Sequence, residues 1–411
     1  MAVGFGAHHG FMASPYAACE RHWKAVRGAI MNSEERRAAR RARRDEKRAA
    51  NRQKRNGGGC SLESIASTDS LYEAARLSAR GVRWKASVQR YEAHVLRNIL
   101  KARNDLLSGK DIRRGFVRFD ISERGKLRHI TSVHFSERVI QKSISKNSLA
   151  PSIWPTLTPG CSANIKGRGT DYALIRLKRQ LAEHQRRHGT DGYVLLIDFS
   201  DYFGRIDHGA AKALVARTVS DERVRRLVNL QIDACGDVGL GLGSEPNQVL
   251  AVAVPSPIDH LLERTPGIEA SGRYMDDTYA IALEKQTLWD ALDVIRSECM
   301  RLGITINERK TKVIKLTRGF VFLKKKFRFT KSGRIVVRPC RESLTRERRK
   351  MKKHAAMVRD GRMTLEQARQ SYISWRGSIE KRKGKPRLVM NTHDTVRDFD
   401  RLFFELFGER P

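Results

Sequence analysis

Two adjacent carboxylates, Asp276 and Asp277, lie between Gly-Arg-Tyr-Met and Thr-Tyr-Ala-Ile-Ala-Leu. The β-branched and aromatic residues on both sides favour strands, with the acids in a tight turn between them. Two acids at a hairpin tip repel each other unless a cation neutralises them, and magnesium takes oxygen ligands of this kind. A third acid, Asp198, ends the run Tyr193-Val194-Leu195-Leu196-Ile197. That uninterrupted apolar run reads as a buried strand with an acid delivered at its end. Carboxylates from separate strands, gathered by the fold, are what two-metal phosphoryl transfer needs. Two ions roughly 3.5–4 Å apart activate the attacking oxygen and stabilise the leaving one. Taken alone, an Asp-Asp turn is more often without function. A strand-end acid elsewhere in the chain is what raises the pair above that.

The intervening chain must bring these acids together. Helical spacing over 208–219 and 221–234, a Gly-rich segment (Gly236, Gly239, Gly241, Gly243) and a helix from about Pro246 to Asp259 separate Asp198 from the pair. A helical return between strands fits a split βαβ layout. After the pair come a helix over 287–301, a strand pair near 304–306 and 312–316, and more β structure over 319–338. Upstream, 61–110 is helical and 115–135 is a hairpin turning at Glu123-Arg124-Gly125-Lys126. Residues 136–150 are a helix ended by Pro151 and Pro155, and a basic helix passes through Leu174, Leu177 and Leu181. Trp84 reads as a packing residue rather than a base-stacking platform. From 341 onward the chain is basic and mostly helical.

Lys and Arg number 81 against 45 acids in 411 residues, a formal charge of +36. Such an imbalance implies a polyanionic partner, and nucleic acid fits better than a membrane because no long apolar run exists. The densest basic stretch, 36–55, is a helix or an arm that becomes one on RNA, with a solvated tail as the alternative. Gly57-Gly58-Gly59 marks a linker. The six cysteines are scattered without a Cys-x-x-Cys pair, which speaks against a zinc or disulfide framework and suits a reducing cytoplasm. No signal-peptide pattern opens the chain, and Met1, Met12 and Met31 are all candidate starts.

At this point the chain resembles the reverse transcriptases. Asp198-Phe199-Ser200-Asp201-Tyr202-Phe203-Gly204-Arg205-Ile206-Asp207-His208 looks like the first catalytic motif of the palm, and Tyr274-Met275-Asp276-Asp277 like the Tyr-x-Asp-Asp box. The resemblance covers roughly 70–380. It implies an α+β right hand: fingers, a palm built on a split βαβ, ferredoxin-like antiparallel sheet, and a helical thumb. The implied division is a basic, largely disordered arm at 1–59, N-terminal helices and fingers at 60–190, palm at 191–338 and thumb at 339–411. The implied reaction is addition of deoxynucleotides (dNTPs) to a DNA or RNA primer on an RNA template. It needs two Mg²⁺, with Mn²⁺ able to substitute, held by Asp198, Asp276, Asp277 and the backbone at Phe199.

Further positions carry over singly. Lys126 and Arg128, in Gly-Lys-Leu-Arg, are similar to the fingers hairpin that clamps the triphosphate, where cations offset charge developing in the transition state. The backbone amides of Asp201 and Tyr202 would lie under the triphosphate. Phe203 falls at the steric-gate position, where a ring crowds a 2′ hydroxyl, with a core phenylalanine as the alternative. Lys310, in Gly303-Ile-Thr-Ile-Asn-Glu-Arg-Lys310-Thr, is the candidate general acid for pyrophosphate, a solvated lysine being the other reading. Arg168, in Gly167-Arg168-Gly169-Thr170, matches a block whose role is either packing or template contact. Gly319-Phe-Val-Phe-Leu323 resembles the primer grip, although the usual glycine after it is Lys324. Arg348, Lys352 and Trp375 fall in the thumb, whose basic residues would track the nucleic-acid backbone.

The next motif departs from the family. Leu242-Gly243-Ser244-Glu245-Pro246-Asn247-Gln248 carries Leu242 where most members have Gln, and Asn247-Gln248 where they have Ser-Pro. Leu242 and Gly243 would face the nucleotide and Gln248 the template. The variant looks like that of diversity-generating retroelement enzymes, and loss of an amide there removes a hydrogen-bond partner, so relaxed fidelity is expected. The lack of a maturase, zinc-ribbon or endonuclease extension speaks against a mobile group II intron protein. The long basic arm and the Asn247-Gln248 ending are not the usual diversity-generating form, so the expected setting is a bacterial or phage defence-associated, retroelement-derived system. In that setting a structured non-coding RNA would sit on the basic arm, an accessory protein could assist, and no membrane is involved. Mutagenic diversity generation and protein-primed, template-independent synthesis are the alternatives.

Overall fold

The computed structural model describes residues 60–123, 126–380 and 388–411. The basic arm expected at 1–59 and the side chains of Lys126 and Arg128 lie outside the described residues. Residues 59–411 form one contact-rich unit.

Its first part is helical: α1 (Leu62–Ala66), α2 (Thr68–Ala79), α3 (Ala86–Ala93) and α4 (Val95–Leu107). Ser67 starts α2 by accepting a hydrogen bond from the Ser70 amide at 3.2 Å, satisfying a donor the helix itself cannot. Trp84 is not a packing residue. It lies between α2 and α3, 74% exposed, with the Lys85 ammonium 5.4 Å from its ring. Its neighbours Arg83 and Lys85 are both exposed too.

Strands β1 (Phe116–Glu123) and β2 (Lys126–Val133) pair antiparallel as the expected hairpin, from Phe116 opposite Val133 to Glu123 opposite Lys126. Then α5 (Phe135–Ile144) runs into a π turn at Ser145–Leu149 and on into α6 (Ala150–Ile153). Pro151 therefore does not end the helix as expected. The Ala150 amide donates to the Ser145 carbonyl, and this widened turn accommodates a residue that has no N–H and crowds the preceding turn.

After α7 (Thr170–His188) the chain enters β3 (Tyr193–Ile197), followed by α8 (Tyr202–Arg205), α9 (His208–Thr218) and α10 (Glu222–Asp233). The helix expected over 246–259 is two, α11 (Glu245–Ala253) and α12 (Ser256–Arg264), divided at Pro255, which cannot donate within a continuous helix. Next come β4 (Ile268–Tyr274), β5 (Asp277–Ala282), α13 (Lys285–Arg301) and β6 (Lys312–Lys315). The sheet order is β4-β5-β3-β6, antiparallel throughout. This is the β-α-β-β-α-β arrangement. The pair expected between 304–306 and 312–316 does not form. Ile306 bridges Phe199 instead, and β6 pairs with β3.

Alternation along the central strands explains why they are apolar throughout. Leu195, Ile197, Ala280 and Ala282 join a core with α9 and α11–α13, while Val194, Tyr279 and Ile281 join another with α7 and the second sheet. A sheet covered on both faces requires apolar residues at consecutive positions. The second sheet is β7 (Phe320–Phe322), β8 (Lys325–Phe329) and β9 (Ile335–Pro339). Helices α14 (Arg341–Arg359), α15 (Leu365–Ile379) and α16 (His393–Phe407) close the chain around Met351, Tyr372, Phe399 and Phe403. No helix among the described residues is long and apolar enough to cross a membrane.

Candidate active site

The register of β3 on β5 brings two of the acids together. Ile197 pairs with Thr278, so the next residues along the two strands, Asp198 and Asp277, face each other. Asp276 sits in the two-residue turn that links Tyr274 to its partner Asp277. The Asp277 carboxyl is pushed up to about 6, first by burial, then by Asp276 and Asp198, with Lys310 pulling the other way. Burial and like charge both disfavour the ionised form.

Asp198 is held from one segment. The Asn307 amide donates to its carbonyl at 2.8 Å, and Asn307 Nδ2 donates to its Oδ2 at 3.2 Å. Lys310 Nζ lies 3.0 Å from the same oxygen. The Ser200 amide donates to the Thr305 carbonyl at 2.8 Å, fixing the segment alongside. Phe199 is buried and its backbone bridges Ile306. Asn307 was missed in the sequence, although it stands three positions before Lys310 in the same stretch.

Below the turn lies a group the sequence did not reveal. Arg273 is 1% exposed. Its Nε and Nη2 donate to the two Asp259 oxygens at 2.8 and 2.7 Å, and Nη2 also donates to the Val252 carbonyl at 2.7 Å. Nη1 donates to the Met275 carbonyl at 3.1 Å. Met275 has φ +56, a conformation costly for a residue with a β-carbon. The Arg273 contact is one of those that hold the strained turn presenting Asp276.

On the other flank Asp201 adopts a left-handed φ of +42 and opens α8. The Tyr202 side chain is buried and its hydroxyl donates to the Ala251 carbonyl, so only the backbone here can face a ligand. Phe203 is half-buried, edge-on to Tyr202 at 5.6 Å, and its carbonyl accepts from the Leu240 amide at 2.7 Å. The Leu242 carbonyl accepts from the Thr131 amide at 3.0 Å, joining the hairpin to the glycine segment. A β-carbon on Gly243, at φ +125, would lie 2.6 Å from the Thr131 carbonyl oxygen, so only glycine allows this approach. Asn247, 2% exposed, donates to the Gly241 carbonyl at 3.3 Å and secures the loop from beneath. Gln248 is half-buried on the same helix.

The remaining expected residues lie further out. Arg168 donates to the Thr158 and Cys161 carbonyls at 3.0 and 2.7 Å, an anchoring role for its own loop. Arg348 and Lys352 are exposed on α14, with the Arg348 guanidinium over Phe399 at 5.2 Å. Trp375 is half-buried, 4.6 Å from Phe399 and 5.8 Å from Tyr372, so much of its ring is spent on packing.

No protein-family model and no curated protein matches the chain. Among solved structures, apo telomerase from Candida tropicalis truncated from its C-terminal domain is similar at 17% identity. That match covers 54% of this chain and 54% of that one, with a TM-score of 0.41. The apo telomerase of Candida tropicalis gives 15%, 55% and 48%, with a TM-score of 0.42. Telomerase from Candida albicans, in complex with a TWJ fragment of telomeric RNA, gives 12%, 71% and 54%, with a TM-score of 0.40. The chain spans about half the length of these structures.

The donor set at Asp198, Asp276 and Asp277 is all oxygen, it is crowded with negative charge, and one member is held above its ordinary range. Such a set fits hard divalent cations shared with substrate phosphates. It could hold magnesium through Asp198, Asp276, Asp277 and the Phe199 carbonyl.

Proposed function

We propose that the chain is an RNA-directed DNA polymerase that extends a primer 3′ end with deoxynucleotides. The observation that carries this reading is Asp198 facing Asp277 across the two central strands, with Asp276 in the adjoining turn. In this reading the β1–β2 hairpin serves as fingers, the four-stranded sheet as palm and α14–α16 as thumb. The four segments divide at residues 59, 190 and 338.

In the reaction the primer 3′ hydroxyl gives its proton to solvent and its oxygen bonds to the α-phosphorus, the bond from that phosphorus to the bridging oxygen breaks, and pyrophosphate leaves. Two Mg²⁺, when bound, lower the pKa of the 3′ hydroxyl and neutralise the triphosphate. The protein supplies position and protons. Asp198 and Asp277 hold the centre on rigid strands, and Arg273 fixes the turn. Lys310, one contact away on Asp198, carries the proton given to pyrophosphate. The Phe203 ring bounds the sugar. The exposed cations of α14 hold the template–primer backbone through charge.

Primer extension on a defined RNA template tests this. The expected product is complementary DNA, absent in the Asp276→Ala, Asp277→Ala double variant. Product unrelated to the template would replace copying with template-independent synthesis, and product retained by the double variant would overturn the site. The narrower setting, a defence-associated retroelement-derived system with a structured RNA on the basic arm, rests on the long basic arm and on the Asn247-Gln248 ending, which is not the usual diversity-generating form. A variable-repeat pair beside the gene would favour diversity generation instead.

A further inference from the structure

A second cluster stands at the other end of β4 from the acids. Among the described residues, His184, His188 and Glu269 form the one set of three metal-capable side chains whose ligand atoms all lie within 4.8 Å of one another. His184 and His188 are one helical turn apart on α7, on the face that also carries Gln180. Gln180 latches that face to the sheet by donating to the Ser271 carbonyl at 3.2 Å. Glu269 approaches from the edge strand.

Three backbone features are built around this cluster. The register of β4 on β5 shifts between Ile268 and Ala270, so Glu269 is the extra residue of a bulge, a device that re-aims a side chain. Gly192, at φ +112, leaves room for the imidazole: a β-carbon there would lie 2.7 Å from His184 Nε2. The Asp191 carbonyl meets that same nitrogen at 2.5 Å.

The last contact fixes the tautomer. A carbonyl only accepts, so His184 Nε2 carries a hydrogen. In the neutral ring Nδ1 is then a bare lone pair, and it faces Glu269 Oε2 at 2.7 Å. Two lone pairs at that distance repel, so a positive centre belongs between them. His188 Nε2 meets the other carboxylate oxygen at 2.6 Å. A far N–H held by a backbone carbonyl is how metal-binding histidines commonly fix the tautomer and the ring orientation.

We infer that His184 Nδ1, His188 Nε2 and the Glu269 carboxylate form a structural site for a borderline divalent cation, zinc in the first instance, clamping α7 to the β4 edge. Two imidazoles and a carboxylate are a common zinc donor set. Tetrahedral zinc with bonds of about 2.0–2.1 Å places its ligand atoms about 3.3 Å apart. The two imidazole–carboxylate contacts, at 2.7 and 2.6 Å, need open by less than about 1 Å to admit it. His184 is buried, whereas Glu269 and His188 are partly exposed. Solvent therefore supplies the fourth ligand and the ion has a path in. The site is independent of the proposed polymerase centre and uses none of its residues.

The test is metal content and cobalt spectroscopy on the full chain. Protein stripped with a chelator and dialysed against zinc is expected to retain one equivalent per chain. The melting temperature should rise on zinc addition, and the Co²⁺-loaded form should show the visible bands of a tetrahedral nitrogen–oxygen site. His188→Ala and Glu269→Gln should each lower zinc affinity at least tenfold, while Asp277→Asn keeps the equivalent. Circular dichroism identifies any variant that fails to fold, and the wild-type stoichiometry decides the matter without them. Less than a fifth of an equivalent in the wild type would overturn the assignment, leaving a protonated imidazole–carboxylate cluster. So would zinc retained in both folded His188→Ala and Glu269→Gln, or a thiolate-to-cobalt charge-transfer band.

Discussion

Arg273 and Asp259 form a fork-to-fork ion pair with both members almost wholly buried, its two contacts 2.8 and 2.7 Å long. Removing one partner strands the other charge where water cannot reach it. Asp259→Ala is therefore expected to cost about 3–5 kcal/mol, read from the denaturant midpoint. Arg273→Lys keeps the charge but loses the planar fork, and with it the hold on the Met275 carbonyl. Its kcat should fall at least tenfold with little change in KM for the nucleotide. An equal change in both would show that the pair supports the fold and not the turn.

Asp277 links stability to pH. Its carboxyl is raised from 3.8 to about 6 in the folded chain, so the fold keeps the proton to higher pH than the unfolded chain does. The stability this group contributes is present below about pH 4 and lost as pH rises through about 6. Metal-free protein should accordingly be less stable at pH 7 than at pH 5 from this group. Asp277→Asn should be more stable than wild type at pH 7, by about 1–3 kcal/mol, while losing activity. The apparent Mg²⁺ affinity should climb over the same interval, because the ion competes with the proton. A thermal melt series across pH for both proteins, without divalent ions, checks the first claim.

Phe203 is half-buried, packed against the core without being sealed in it. Phe203→Ala opens the space beside the sugar and should raise ribonucleotide use relative to deoxynucleotide use by roughly 10–100-fold in kcat/KM. Single-nucleotide insertion with matched pairs measures the ratio. An unchanged ratio in a folded variant would make Phe203 a packing residue.

Leu242 is tied to the hairpin through its backbone carbonyl. Leu242→Gln should therefore leave the loop in place while restoring an amide near the template. A lower misincorporation frequency is expected when products are sequenced, and an unchanged spectrum would refute the proposed link to fidelity.

Leu323 and Lys324 form the two-residue turn between β7 and β8 at φ +46 and +62. Two left-handed residues suit the twist of a hairpin, but the conformation is costly without glycine. Lys324→Gly relieves one of them and should stabilise the chain by about 0.5–1 kcal/mol after glycine's own entropy cost. Chemical denaturation reads it directly.

Residue order alone determined most of the local elements. The run Tyr193–Ile197 reads as a strand covered on both faces, which it is, and the acids at its end and in the Met275–Asp276 turn are the basis of the proposed cation-dependent centre. The chain's charge of +36 is the basis of the proposed polyanionic partner. Proline misled twice, in opposite senses: a π turn absorbs Pro151, whereas Pro255 divides one expected helix into two. These outcomes depend on backbone register, which residue types do not state.

Only the tertiary structure decided which residues meet. Nothing in the order of residues pairs Arg273 with Asp259, sets Asn307 and Lys310 on Asp198, leaves Trp84 in solvent, or aims Glu269 at His184. Each of these follows from strand register and helix docking, which bring together groups far apart in the chain. Burial then sets what the contacts are worth, since the same ion pair or imidazole counts for little in water and a great deal where water is excluded.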